Sequence, residues 1–256
     1  MPMRASRAAP RYAAGLALAL LLGRAAGAER VERFYGYAFE LDSGRFLYTE
    51  AHRQRYDGER WLGGEVRYVD AQGREFARKT LDFSASPYVP TYRLEVPGDG
   101  YLEGITAVAG RDVQLIKRER ADAPLRRREL ALDGTLAADA GFNSLLLDHL
   151  DALRRGATLA FRFIAAGRLD AYRLRVRELG DTQFEGRPAV RLQAEPDSLL
   201  RLLVAPLQLV YDPERRRLLE YRGPSNVHDP ASGASWNVRV SFSAQPPAQA
   251  LPLPPP

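Results

Sequence analysis

Beyond residue 33, most of the chain consists of short segments in which apolar and polar side chains alternate. Alternation with a period of two is typical of strands that bury one face. Turns rich in Gly and Asp, such as those at 42–45 and 70–73, separate these segments. Strands joined by short turns pair antiparallel, so the pattern predicts a meandering antiparallel sheet. The predicted hairpins pair residues 34–41 with 46–56, 61–69 with 75–83, and 207–211 with 218–221.

One segment, at 140–156, has a helical period instead. Its apolar face is formed by Phe142, Leu145, Leu146, His149, Leu150 and Leu153. Spacings of three and four residues place such side chains on one face of a helix. Arg154 and Arg155 suit the negative end of the helix dipole, and Gly156 can adopt the left-handed conformation that ends a helix.

One amphipathic helix among many strands predicts a mainly β fold of the α+β class. We expect a curved antiparallel sheet, or half-barrel, wrapped around this one main helix. The alternation is sharpest after the helix, where Arg173, Arg175 and Arg177 occupy the polar positions of one predicted strand. The sequence therefore predicts a sheet with an apolar concave face and a charged outer face.

The N-terminus has the features of a secretory signal peptide. Arg4, Arg7 and Arg11 precede an apolar stretch at 12–23, and Ala26-Gly27-Ala28 has the small residues of a cleavage site. The apolar stretch is shorter than the ~20 residues that span a bilayer. We therefore predict a signal peptide at 1–28, a single β-rich domain at 29–244 and a disordered proline-rich tail at 245–256. After cleavage we expect no transmembrane anchor and a periplasmic location.

Removal of the signal peptide changes the charge balance. Four of the 37 basic residues lie in it, which leaves 33 basic against 32 acidic groups in the mature chain. A nearly neutral protein has no electrostatic basis for binding nucleic acid. The chain contains no cysteine, which excludes thiol catalysis and zinc sites built on cysteine.

The polar candidates for a binding site are Ser225, Asn226, His228 and Asp229, which fall in one predicted loop. Their types are those of a serine hydrolase, but the members of a catalytic triad normally converge from separate elements. Four neighbours in a loop more often hydrogen-bond within a turn. We therefore expect no catalytic residue, no bound metal and no cofactor, with a hydrolase at 225–229 as an alternative.

The other two histidines have structural explanations. His149 lies on the apolar helix face, where we expect a core histidine with one nitrogen satisfied. His52 shares a strand face with Tyr48 and Glu50, which indicates an exposed row of polar side chains. Two polar loops, at 82–87 and 98–104, carry aromatic and acidic residues beside tight turns, and we expect them to be ordinary strand connections.

Five segments together resemble a family of uncharacterised exported proteobacterial proteins: FYGYAFELDSGRFLYTEAH, DFSASPYVP, DGYLEG, DAGFN…LRRG and LLVAPLQLVYDPERRRLLEYRGPSNVHD. The resemblance covers nearly the whole mature chain and implies no activity. More distantly, the pattern of strands with a helix is similar to the periplasmic lipoprotein carriers. That likeness implies a curved sheet that encloses helices and shelters acyl chains.

A sheet of this many strands has a wider concave face than one helix covers. We therefore expect an apolar cavity that binds a lipid or acyl chain in an envelope protein without catalytic activity. Its predicted lining is Phe142, Leu146, Leu150, Phe161, Phe163, Tyr172, Leu174, Trp236 and Val238. The alternative is a structural or assembly partner of another envelope protein, docked through the arginine row at 173–177.

The signal peptide is directly testable. We expect the protein from an envelope fraction to begin at Glu29, because the small residues before it form the cleavage site. N-terminal sequencing checks this. An intact Met1 on material from the cytoplasm would contradict the prediction.

Overall fold

The computed structural model describes Met1, residues 29–198 and residues 205–252. The rest of the predicted signal peptide, the short apolar stretch at 199–204 and the last four residues of the predicted tail lie outside the described residues. Among the described residues no helix is both long enough and apolar enough to cross a bilayer.

The described residues form fifteen strands and one α-helix. The elements are β1 Arg30–Glu40, β2 Phe46–Asp57, β3 Arg60–Asp70, β4 Glu75–Asp82, β5 Thr91–Val96, β6 Tyr101–Ala109, β7 Asp112–Arg118, β8 Arg126–Ala131, β9 Leu136–Ala138, α1 Gly141–Arg154, β10 Leu159–Ala165, β11 Asp170–Phe184, β12 Arg187–Pro196, β13 Leu207–Asp212, β14 Arg217–His228 and β15 Ser235–Ser241. A one-turn 3-10 helix, Ala166–Arg168, joins β10 to β11.

All fifteen strands belong to one sheet, in the order β8-β7-β6-β5-β4-β3-β2-β1-β15-β14-β13-β12-β11-β10-β9. Two meanders, β1–β8 and β9–β15, are joined where β1 pairs with β15. The pairing is antiparallel throughout, apart from β9 and β10, which are parallel. The sheet is curved and does not close, so β8 and β9 are its edge strands. The predicted fold class and the three predicted hairpins are confirmed.

The helix covers only one half of the sheet. Leu145, Leu146 and Leu150 are completely buried and pack in one cluster with side chains of β10–β13. A second cluster joins side chains from every strand of β1–β8 with others from β9, β10, β14 and β15. Because this cluster reaches from the first to the last strand of the first meander, that half of the sheet curls around it. Among the described residues the 3-10 turn, rather than α1, packs against this half.

Local chemistry fixes both ends of the helix. At its start, a Cβ on Gly141 would lie 2.1 Å from the carbonyl oxygen of Tyr88, so only glycine permits this close approach. At its end, Gly156 has a φ of +90°. The Gly156 N–H donates to Leu153 O at 2.9 Å and the Ala157 N–H to Ala152 O at 3.1 Å. This is the Schellman motif, with glycine in the predicted left-handed position.

The segment at 245–252 lies against the sheet where it is described. The Ala250 N–H donates to Pro247 O at 2.9 Å, which closes a turn. A Cβ on Gly73 would meet the Leu251 side chain at 2.9 Å, so Leu251 lies beside the β3–β4 turn.

Two neighbouring leucines test the orientation of the helix. Leu146 is fully buried whereas Leu147 is partly exposed. We expect Leu146→Ala to lower the free energy of unfolding by about 2–5 kcal/mol, since it leaves a cavity in the core. Leu147→Ala should cost about 1 kcal/mol or less. Urea unfolding of the two variants measures both values, and equal losses would mean that the helix is rotated from this orientation.

Candidate binding site

The concave face of the sheet retains a cavity of about 180 Å³. It lies between the start of α1 and the strands β2–β4, β10 and β13–β15. One part of its wall is apolar and is formed by Phe142, Phe163, Leu207, Leu209, Val238, Val240 and Phe242. The other part carries ionisable and amide side chains, so the cavity is amphipathic.

The centre of the polar wall is a buried ion pair. Lys79 Nζ donates to Asp139 Oδ1 at 2.8 Å and to Oδ2 at 2.9 Å. The two side chains are 9% and 1% exposed. Asn226 Nδ2 donates to Asp139 Oδ2 at 2.7 Å. One carboxylate therefore joins β4, the connection between β9 and α1, and β14.

The backbone of Asp139 is unusual and helps to aim the carboxylate inward. Its φ is +43°, a left-handed conformation that Asp tolerates better than most residues. Its Oδ1 also accepts the N–H of Ala140 at 2.7 Å. This bond holds the carboxylate beside the first residues of the helix.

A second polar pair, His52 and Glu50, lies in the same cavity. His52 Nε2 and Glu50 Oε2 are 3.0 Å apart, with side chains 13% and 14% exposed. The imidazole stacks on Phe34 with 4.5 Å between ring centroids and meets Phe242 edge-on. The expectation of an exposed polar row was wrong, because this face of β2 is the concave one.

The predicted loop at 225–229 is largely strand, because β14 continues to His228. Ser225 Oγ and Tyr48 Oη are 2.7 Å apart in the cavity wall. Burial raises the pKa of the Tyr48 hydroxyl well above its ordinary value. The loop assignment was therefore wrong, although Ser225 and Asn226 do line the cavity.

His228 and Asp229 form hydrogen bonds with other residues and not with Ser225. His228 Nε2 is hydrogen-bonded to Asp99, in the turn before β6. Asp229 accepts the N–H of Ala231 at 2.9 Å and the hydroxyl of Ser232 at 2.9 Å. The N–H bond lowers the pKa of this carboxyl. Within the part of the chain that is described, no hydrogen bond links a histidine to Ser225.

A carboxylate network lies deeper in the curled half. Glu103 is 6% exposed and accepts hydrogen bonds from Tyr92 Oη at 3.0 Å and Tyr101 Oη at 2.6 Å. Burial raises the pKa of Glu103, because the charged form loses its hydration. A Cβ on Gly167 would lie 2.1 Å from Glu103 Oε2. Glycine in the 3-10 turn therefore lets the β10–β11 connection pack on this network.

The predicted apolar lining is only partly present at the cavity. Phe142, Phe163 and Val238 line it. Leu146, Leu150 and Phe161 are buried in the core beneath the helix, and Leu174 and Trp236 are partly buried beside the two core clusters. Tyr172 pairs with Phe163 across β10 and β11 and shares its face of the sheet. It is 44% exposed and does not line the cavity, which corrects its assignment there.

The sequence contained signals for the lining residues that were missed. Val240 and Phe242 continue the alternation of Val238, so they share its face. Lys79 sits between Ala77 and Leu81 at the buried positions of β4. A lysine in the apolar register of a strand is a sign that it has a buried partner.

No cluster of three or more His, Asp or Glu side chains that could hold a metal ion occurs among residues 29–198 and 205–252. The candidate site therefore consists of apolar surface, one lysine-aspartate pair, one histidine-glutamate pair, and amide and hydroxyl groups.

The comparisons with known proteins bear on the fold. No protein-family model matches the chain, and no curated protein matches it significantly. Among solved structures, the chain is similar to a β-barrel-like protein from Brucella abortus, described as a domain of unknown function, DUF1849. The TM-score is 0.50 at 8% identity, over 82% of this chain and 94% of that one. At this identity the likeness shows the fold alone, a β-barrel-like architecture shared with an uncharacterised bacterial protein.

The buried ion pair makes a testable prediction for stability. Lys79→Met leaves the Asp139 carboxylate buried without a cation, and we expect a loss of about 3–5 kcal/mol in the free energy of unfolding. Asp139→Asn keeps a residue type that tolerates the left-handed backbone and should also destabilise. The double variant removes both charges and should cost less than the sum of the single variants. Urea unfolding of the three variants measures this coupling.

A matched control lies in β5, where Arg93 and Glu95 form a 2.7 Å ion pair whose side chains are 50% and 45% exposed. We expect Arg93→Met and Glu95→Gln to change stability by about 1 kcal/mol or less. If the losses in the free energy of unfolding for the Lys79 and Asp139 variants are additive, the two side chains are not energetically coupled, which would contradict the prediction.

Proposed function

We propose that this protein is a non-catalytic binding module that holds a small amphiphilic molecule in the cavity of its curved sheet. The observation that carries the proposal is the amphipathic wall, with phenylalanine and aliphatic side chains on one part and paired polar groups on the other. Binding sites for small molecules typically combine a mainly apolar lining with a few placed polar groups.

The apolar part suits a short hydrocarbon segment. Leu207, Leu209, Val238 and Val240 come from β13 and β15 and present aliphatic surface to the cavity. Phe142 and Phe163 lie on the side nearer the helix, and their rings meet edge-on with centroids 5.8 Å apart. Each methylene buried here contributes about 0.8 kcal/mol.

The polar part supplies orientation. Asn226, Ser225 and the carboxylate of Asp139 offer donors and acceptors at one end of the cavity. A ligand with a hydroxyl, amine or carboxyl group at one end can hydrogen-bond there while its chain packs on the apolar wall. A purely apolar ligand would gain nothing from this end.

The volume limits the ligand. A cavity of about 180 Å³ is smaller than the ~300–1,000 Å³ typical of pockets for drug-sized ligands. A complete long acyl chain would not fit, so the binding group is a short amphiphile or the end of a longer chain. The volume therefore restricts the lipid or acyl chain expected from the sequence to a short one, or to the end of a longer one.

The two alternatives from the sequence have less support. A hydrolase at 225–229 needs a base beside Ser225, and His228 is instead bonded to Asp99. A docking surface for acidic groups on the arginine row of β11 is weakened, because its middle arginine, Arg175, is already hydrogen-bonded to Glu195 at 2.6 and 2.9 Å. We place the binding module in the periplasm on the strength of the signal peptide motif.

Filling the cavity tests the proposal. Leu207→Phe adds volume at the apolar wall, and we expect it to weaken binding of short alkanoic acids and alkylamines while the protein remains folded. In the unaltered protein, affinity should rise by about 0.8 kcal/mol per methylene until the cavity is full. Isothermal titration with a series of chain lengths measures both effects.

The matched control is Leu179→Phe, because Leu179 is 37% exposed in β11 and distant from the cavity lining. It should bind the series as the unaltered protein does. Absence of saturable binding by every chain length, or equal binding by Leu207→Phe, would contradict the proposal.

A further inference from the structure

A larger cleft lies on the other side of the helix start. It has a volume of about 420 Å³, within the range typical of small-molecule sites. The β2–β3 hairpin, the segment at 83–87 and the first two turns of α1 enclose it. The interior cavity and this cleft share Asn143 but otherwise have different linings.

One wall of the cleft is a strip of aromatic rings. Trp61 stacks on the buried Phe83 with centroids 4.1 Å apart, and Tyr56 continues the strip at 6.3 Å with its ring tilted by 18°. Trp61 Nε1 donates to Gly63 O at 3.0 Å, which fixes the orientation of the indole. Trp61 and Tyr56 remain partly exposed. Phe83 covers one face of Trp61 and the Arg30 guanidinium lies 4.6 Å from the centroid of the Tyr56 ring, so the remaining ring surface of the strip is the preorganised apolar surface of the cleft.

The helix side of the cleft carries polar groups that are already oriented. Asp148 Oδ2 accepts the hydroxyl of Tyr88 at 2.7 Å, and its Oδ1 has no hydrogen-bond partner among the described residues. Asn143 Oδ1 accepts the hydroxyl of Tyr211 at 2.9 Å, which leaves the amide nitrogen as the group of Asn143 that can donate to a ligand. Ser144 adds a hydroxyl to the same side.

The charge of the lining selects among ligands. The cleft has two carboxylates, Glu59 and Asp148, and one cation, Arg60. This balance gives no surplus positive charge for a phosphate or another anion. An uncharged ligand with both apolar faces and many hydroxyls matches the wall better.

We propose that the cleft between Trp61 and Asp148 is a carbohydrate-binding site. The C–H faces of a pyranose ring pack on the Trp61–Tyr56 strip, because such faces are apolar and the rings present flat π surface. The hydroxyls of the sugar donate to Asp148 and accept from Asn143 and Ser144, as charge-assisted and amide hydrogen bonds require. The volume accommodates one or two sugar rings rather than a long chain.

Tryptophan fluorescence can observe this site alone. The chain has two tryptophans, and Trp236 is partly buried against a core cluster away from the cleft lining, so Trp236→Phe leaves Trp61 as the only indole. We expect cellotriose, chitotriose or maltotriose to change the fluorescence of this protein saturably. In that background, Tyr56→Ala and Asp148→Asn should each weaken binding by about tenfold or more. Asn keeps an acceptor for Tyr88, so Asp148→Asn preserves the fold.

The control is Tyr172→Ala, which removes a tyrosine that is 44% exposed and does not line the cleft, and it should leave the affinity unchanged. Circular dichroism melts confirm that each variant is folded. Absence of a saturable change with all three trisaccharides up to about 10 mM would overturn the proposal. If Tyr56→Ala and Asp148→Asn bind the sugar as tightly as the Trp236→Phe protein does, the proposal is also overturned. Displacement of the sugar by the peptide Gly-Phe-Gly, at a lower concentration than the sugar itself requires, would overturn it as well.

Discussion

The arrangement of the interior depends on the ion pair between Lys79 and Asp139. Lys79 belongs to the meander that precedes the helix, Asp139 lies two residues before the first residue of the helix, and Asn226 reaches the same carboxylate from β14. A buried charge without its partner is far more costly than a lost apolar contact, so these three elements must meet in one register. Desolvation offsets much of the attraction between the two charges, and the pair therefore fixes geometry more than it adds net stability. The interior cavity is the space left once the start of the helix is held against β4.

An open sheet also has two edge strands, here β8 and β9, whose free backbone groups must be protected from pairing with another chain. β9 has only three residues, and β8 presents a row of arginines, both of which discourage pairing with another chain. Besides the β1–β15 pairing, the Ala138 N–H of β9 donates to Tyr88 O at 2.9 Å, and a few side-chain contacts also join the curled half to the other meander. Arg128 Nη1 donates to Leu169 O at 2.9 Å, and the 3-10 turn at Gly167 packs on the Glu103 network. The barrel-like shape is thus completed by a turn and a few polar contacts.

The sequence predicts the local elements well because their signals are local. The period of the helix, the glycine after it and the hairpin turns each occupy fewer than about twenty residues. The candidate site depends on contacts across greater distances. Lys79 and Asp139 are 60 residues apart, and Ser225 and Tyr48 are 177 apart. Alternation shows that His52 shares a face with Glu50, but the direction in which the sheet curves decides whether that face is inside. Alternation likewise shows that Tyr172 shares a face with Leu174 and Val176, but it does not show that this position of the face is exposed.

The buried polar groups in the wall of the cavity already have hydrogen-bond partners without a ligand. This limits how much binding free energy a ligand can obtain from them. Among the described residues no buried side-chain nitrogen or oxygen lacks a hydrogen-bond partner. A ligand therefore rescues no unpaired group, and its polar end exchanges hydrogen bonds with water for hydrogen bonds with the wall at little net gain. Affinity has to come from apolar contact with the side chains of β13 and β15, while the polar end decides which way the molecule lies. Such a site discriminates by shape and orientation, because a ligand inserted the wrong way would bury its polar group against leucine and phenylalanine.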